Sequence, residues 1–283
     1  MRTDRIMSTI CQGIILLAGL SLEGCTYLDV DMDCCSDKVG FESAMSSQNG
    51  DVTTTYTIPD FRVSAFRNHE WGADLLMDNV VVTRTGINSW IYSPPVDWPE
   101  NESVDFFAVS PASYKINNNQ WWYHTLKFVN ENYDTDLLIS VSKDVEDTSG
   151  KIRLNFRHAL AKIQFRLKSS DPDAVIDVSD IKLCNVAKHA DFFFPDFTTS
   201  AGTDQRGISD CWKTYDSQED VEIFHPEDGS YVTLAQTPVT VGPENLFLLP
   251  DSITVLEPGI IWRGTHIQLT YLSLIHISEP TRH

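Results

Sequence analysis

Several residue groupings in this chain could do chemistry, and their spacing decides against most of it. His69-Glu70 opens as a zinc-protease helix would, but the second histidine that would put two imidazoles on one helix face is missing, and the pair stands among turn residues. His158 lies beside two strand-like runs, where a hydrogen-bonded structural histidine is expected, and His225-Pro226-Glu227-Asp228 reads as a turn with charged tips. Asp29-Val30-Asp31-Met32-Asp33 has the alternating carboxylates of a calcium loop, yet the glycine of the sixth position is absent and Gly40 holds the twelfth, where a bidentate glutamate is needed. No Gly-x-Ser-x-Gly elbow, phosphate loop or dinucleotide fingerprint occurs. Abundant carboxylates alone specify no acid–base pair. The expectation is a protein without catalytic residues, metal or cofactor.

Cysteines and tryptophans are the other reactive or recognition-prone residues. Adjacent Cys34 and Cys35 cannot bridge each other without strain, and Cys184 and Cys211 have no metal-ligand spacing. That distant pair is read as unpaired, with a disulfide permitted if the chain is exported. Trp71 and the Trp121-Trp122-Tyr123 run could form a stacking platform for sugars. Neighbours in a strand point to opposite faces, so one of Trp121 and Trp122 belongs to the core and the other to a surface.

Both ends look unlike folded domain. Arg2 and Arg5 precede thirteen apolar-rich residues, Ile10–Leu22, too few to cross a bilayer of about 30 Å as a helix and right for a signal-peptide core. Leu22-Glu23-Gly24-Cys25 resembles a bacterial lipobox, which implies a lipid on Cys25 as the mature N-terminus; Glu23 departs from the usual small or aliphatic residue, and an ordinary signal peptide is the alternative. Leu272 to His283 resembles the translation of a sequencing-library adapter, so the native chain is expected to be visible only to Tyr271. Without residues 1–24 (Arg2, Arg5, Asp4, Glu23) and 272–283 (Arg282, Glu279), the balance is 18 basic against 37 acidic, still −19. Such a charge repels nucleic acid and anionic membrane surfaces.

The elements that must position any site are strands. With 283 residues, 42% of them hydrophobic, the chain can bury a core in each of two domains. Phe61, Val63 and Ala65 alternate with Arg62 and Ser64; Val80–Thr83, Trp90–Tyr92, Val104–Val109, Trp121–Val129 and Leu137–Val141 are further apolar or alternating runs separated by turn residues. Ile152, Leu154 and Phe156 continue the pattern, as do Ile163, Phe165 and Leu167, with a bend or single helical turn expected over 157–161. Ser169–Asp173 reads as a linker, further strand-like runs follow, and Thr198–Glu219 reads as a long surface loop. Short strands so punctuated predict an antiparallel all-β sandwich.

Order and spacing of motifs add a resemblance. Asp60–Phe66, Met77-Asp78-Asn79-Val80, Trp90–Pro94, Trp98-Pro99, Val104–Pro111, Leu154–Ile163 and Leu246–Pro250 are similar, in that order, to the fimbrillin family of Bacteroidales-type bacteria. The resemblance implies two transthyretin-like Greek-key β-sandwich domains, at 59–168 and 169–271, the second truncated. Before them would come a signal peptide at 1–24 and a tether with an exchangeable strand at 25–58, and after them the non-native tail at 272–283. It further implies a pilus subunit, or a subunit-like surface lipoprotein of the outer membrane, held by the lipid on Cys25 and joined to other subunits by β-strand addition for adhesion. The acidic run after Cys25 resembles a surface-export signal of such lipoproteins, and Asp251-Ser252-Ile253 an O-glycosylation acceptor. Val39-Gly40-Phe41-Glu42 maps onto the strand removed or exchanged, Val39 and Phe41 pointing inward. Subunits of this family are often cut after an arginine here, yet none lies between Cys25 and Phe61. Arg62, Arg67 and Lys38 are the candidate processing sites, and an uncut, anchored member is the further possibility. The competing reading is a monomeric surface lipoprotein that binds a glycan or matrix, as a host or bacterial surface ligand, through exposed aromatics.

Overall fold

Period-two patterning turns the first half of the chain into strands. β1 (Gly40–Met45), β2 (Asp60–His69), β3 (Gly72–Gly86), β4 (Ser89–Ile91) and β5 (Val104–Ser110) precede the hairpin β6 (Ile116–Gln120) and β7 (Tyr123–Val129), then β8 (Leu138–Val145) and β9 (Lys151–His158). The computed structural model describes residues 38–45, 58–86, 89–120, 123–146, 151–172, 174–199, 207–214, 218–250 and 265–274. Seven of these strands make one sheet in the order β1-β9-β8-β5-β2-β3-β4. Its ladders are antiparallel except that of β1 on β9, which is parallel and sets Gly40 opposite Lys151 and Met45 opposite Phe156.

Central β5 is buried along its whole length. Alternation still sorts its side chains: Val104, Phe106 and Ala108 join one apolar cluster with Phe61, Leu154 and Phe156, while Phe107 and Val109 join another with Leu126, Phe128 and Ile139. A strand covered on both faces needs this near-continuous apolar run.

The second half supplies β10 (Ala161–Lys162), β11 (Phe165–Leu167), β12 (Val175–Ala187), β13 (His189–Phe193), β14 (Trp212–Thr214), β15 (Gln218–Phe224), β16 (Val232–Leu234), β17 (Val239–Val241), β18 (Phe247–Leu248) and β19 (His266–Leu274). β12 carries β15, β16 and β19, and β10–β18 and β11–β17 are short pairs. Val178, Ile181, Leu183, Ile223, Val241 and Leu248 form a third apolar cluster there. Leu272–Leu274, within the adapter-like tail, extend β19 along Asp177, Ile176 and Val175.

β13 and β14 pair outward from β7 in a four-stranded sheet ordered β14-β13-β7-β6, so residues 189–214 complete a sheet begun by residues 116–129. Phe192 stands opposite Leu126, and both pack with Phe107, Val109 and Ile139 of the seven-stranded sheet. The two sheets therefore face each other across a common core, and the fold is the all-β sandwich expected. One 3-10 turn, Ser209–Cys211, is the sole helical element among the described residues.

Two local expectations need correction. The polar stretch 198–219 is no simple surface loop: Thr199 and Ile208 are buried, and Trp212 Nε1 donates to the Ala159 carbonyl at 2.7 Å. The Thr199 hydroxyl donates to the carbonyls of Val141 and Asn155 at 3.1 and 2.7 Å. A few anchored residues press the described parts of this segment onto the sheet, which its composition conceals. Of the strand expected over Trp121–Val129, the described part, Tyr123–Val129, is β7, and it follows a partner, β6, rich in asparagine. The bend expected at 157–161 is shorter, with β9 reaching His158 and β10 starting at Ala161.

Candidate functional site

β1 fills a seam between β9 and the segment that follows β4. Alternation turns Val39 and Phe41 into the molecule, where they are 2% and 3% exposed, while Gly40 and Glu42 are half-buried. The Phe41 ring meets Phe61, Tyr92 and Phe106 edge to face, with centroids 5.8, 5.6 and 6.2 Å away. Trp90 lies 4.9 Å from Phe61 and Trp98 5.9 Å from Phe106, extending the aromatic wall.

Main-chain groups hold the strand on both sides. Toward β9 the ladder is parallel. On the other side the Val39 N–H donates to the Val96 carbonyl at 2.9 Å, and the Tyr92 hydroxyl donates to the Val39 carbonyl at 2.7 Å while accepting the Val96 N–H at 3.2 Å. Burial pushes the Tyr92 hydroxyl above the usual phenol range, so it stays a donor at neutral pH. Lys38 closes the entrance with an ion pair and an isolated bridge to Asp97. An edge strand held by backbone bonds and by pockets for alternate side chains is the geometry of β-strand addition.

The other candidate residues are dispersed. Arg62, on β2, is tied down: its Nε donates to the Ala112 carbonyl and its Nη1 to the Asn79 carbonyl, each at 2.8 Å. Arg67, on the same strand, is exposed and paired to Asp74 at 2.9 Å. β2 is hydrogen-bonded to β3 on one edge and β5 on the other. Lys38 lies two residues before the start of β1, so a cut after it leaves β1 in place. Trp71 stands 86% exposed at the β2–β3 turn. Cys25, Trp121, Trp122, Asp29–Asp33 and Asp251–Ile253 lie outside the described residues.

Two histidines pair with carboxylates: His158 Nδ1 is 2.7 Å from Asp136, and His225 Nδ1 is 3.1 Å from Asp180. Cys184 and Cys211 are free thiols. Among the described residues no three His, Cys, Asp or Glu side chains are grouped to hold a metal. Sequence reasoning missed the Tyr92–Val96 clamp, because no spacing announces a hydroxyl that reaches 53 residues back along the chain.

Among solved structures the chain is similar to the fimbrial anchor protein Mfa2 from Porphyromonas gingivalis, at 13% identity over 69% of this chain and 76% of that one, with a TM-score of 0.32. No curated protein sequence matches it. A family model described as fimbrillin-like matches residues 49–254, most of the chain, and on that match the protein belongs to the fimbrillin-like family.

Proposed function

We propose that this protein is a fimbrium subunit that assembles by exchange of its first strand for a strand of another subunit. The observation that carries the reading is β1 itself: an edge strand, parallel in an otherwise antiparallel sheet, burying Val39 and Phe41 in an aromatic-walled groove. Parallel pairing is slightly weaker per residue than antiparallel, which favours replacement of this ladder over any other in the sheet. Family membership supports the fimbrial setting. In this reading Cys25 carries the lipid that holds the subunit at the outer membrane, facing outward, and the chain folds as two sandwiches, 59–168 and 169–271, with residues 189–214 lent to the first. Adhesion is a property of the polymer and needs no catalytic residue.

The test is assembly of the full-length protein. SDS-resistant, heat-labile ladders are expected, and Tyr92→Asp removes them by placing a charge in the wall of the aromatic pocket that the incoming strand must fill. Persistent monomers of the unmodified protein under every processing condition overturn the reading.

A further inference from the structure

The groove does more than accept any apolar strand: its geometry points to a reader of register, in which Tyr92 positions the incoming backbone so that only an aliphatic residue followed two places later by an aromatic one fills both pockets. This rests on the strand-exchange reading and specifies its partner, an extended segment of another subunit carrying that pattern.

Three observations carry it. Backbone pairing with β9 is repetitive, since every second residue of a parallel ladder offers the same groups, so the ladder alone permits slippage by two residues. The contacts on the opposite side are not repetitive. Within the bound strand, the Tyr92 hydroxyl and the Val96 carbonyl bond residue 39 and no other, at 2.7 and 2.9 Å, which fixes one position along the seam. With residue 39 fixed, residue 41 falls among Phe61, Tyr92 and Phe106, three rings arranged edge to face around a single phenyl group. A two-residue slip would present residue 43 or 39 to that pocket. The intervening position is crowded as well: a Cβ at Gly40 would meet Lys151 Cγ at 3.1 Å, so a small residue is favoured there. Tyr92 thus serves twice, its ring as one wall of the aromatic pocket and its hydroxyl as the stop that sets the register.

The experiment uses the full chain with a sequence-specific protease site inserted between Gly50 and Asp51, cut after folding, and a labelled peptide of residues 37–45 offered in excess. Uptake of this peptide is expected, with at least tenfold weaker retention for the Phe41→Ala peptide and for one with an extra residue between Val39 and Gly40. Register is read by disulfide formation between a Glu42→Cys peptide and an Arg153→Cys protein, positions that face each other across the ladder. Tyr92→Phe keeps the ring and loses the hydroxyl; it is expected to lower the yield of that disulfide several-fold in favour of slipped products identified by mass spectrometry. No uptake of the unmodified peptide overturns strand exchange and this inference with it. Uptake indifferent to Phe41 and to the inserted residue, or an unchanged disulfide yield in Tyr92→Phe, overturns the register reader and leaves strand exchange standing.

Discussion

Arg62 is better explained as a fastener than as a cleavage site. One planar guanidinium bridges two carbonyls, of Ala112 in the turn after β5 and of Asn79 at an irregularity of β3. Around it Asn79, in the left-handed region at φ +50, accepts the Ile116 N–H at 2.7 Å and donates to the Ile116 carbonyl at 2.8 Å. Replacing Arg62 with alanine leaves two carbonyls without their charged donor and is expected to cost about 2–3 kcal/mol, read as a lower urea midpoint. Arg62→Lys recovers only part of this, because an ammonium cannot reproduce the fork. A second residue governs the response to acid. His124 is buried between Phe66 and Phe107, ring centroids 4.4 and 4.1 Å away, and burial, with Lys143 nearby, pushes its pKa down to about 4. Its unfolded value of about 6.5 is higher, so the unfolded chain binds the proton first. The neutral ring therefore supports the fold fully above pH 6.5, and that support is lost as the pH falls toward 4, a difference of about 3 kcal/mol. His124→Phe is expected to flatten the loss of stability between pH 6.5 and 4.5 relative to the parent, measured by denaturant titration at each pH.

At the scale of elements, the turn after β17 shows how closely the third cluster is built. Gly242 has φ +88, and a Cβ there would lie 2.6 Å from Ile223 Cγ2 and 3.1 Å from the Ile223 carbonyl. Gly242→Ala is expected to destabilise the protein by about 2 kcal/mol through strain and displacement of β15, with a matching fall in melting temperature. Elements that announce themselves are those whose neighbours are regular. β5 could be read from Val104–Val109 because a strand covered on both faces must be apolar throughout, and β9 from Ile152, Leu154 and Phe156 because one face is core. β13 ends in the run Phe192-Phe193-Phe194, whose last residue lies just past the strand and which has no period, and its partners β7 and β14 lie at distances along the chain that local pattern does not encode. The same limit applies to the site. Burial of Val39 and Phe41 follows from alternation, and the aromatic wall is built from motifs visible in the sequence. The clamp on residue 39 is not visible, since it depends on how the seven-stranded sheet curls to bring Tyr92 and Val96 alongside β1.

For the molecule as a whole, the decisive question about assembly is whether β1 can be released by cutting the folded chain. Between Lys38 and Arg62 there is no lysine or arginine, so a protease specific for basic residues has no bond in the connection from β1 to β2. Its nearest downstream targets, Arg62 and Arg67, sit near the start and near the end of a ten-residue strand bonded along both edges. A protease must draw several residues into its cleft in extended form, which here means breaking the ladders to β3 and β5 together. Opening of such a central strand requires a free energy close to that of global unfolding. Lys38 is accessible, but cleavage after it yields a chain beginning at Val39 with β1 retained. An arginine-specific protease added to the folded protein is therefore expected to give no product beginning at Val63 or Asn68, by N-terminal sequencing, until denaturant approaches the unfolding midpoint. A lysine-specific protease is expected to give a product beginning at Val39 that keeps the stability of the parent. Appearance of Val63 or Asn68 under native conditions would mean that β2 opens far more readily than its pairing implies, and that removal of β1 by cleavage is built into this subunit. Their absence leaves displacement of an attached β1 by an incoming strand as the route consistent with the fold.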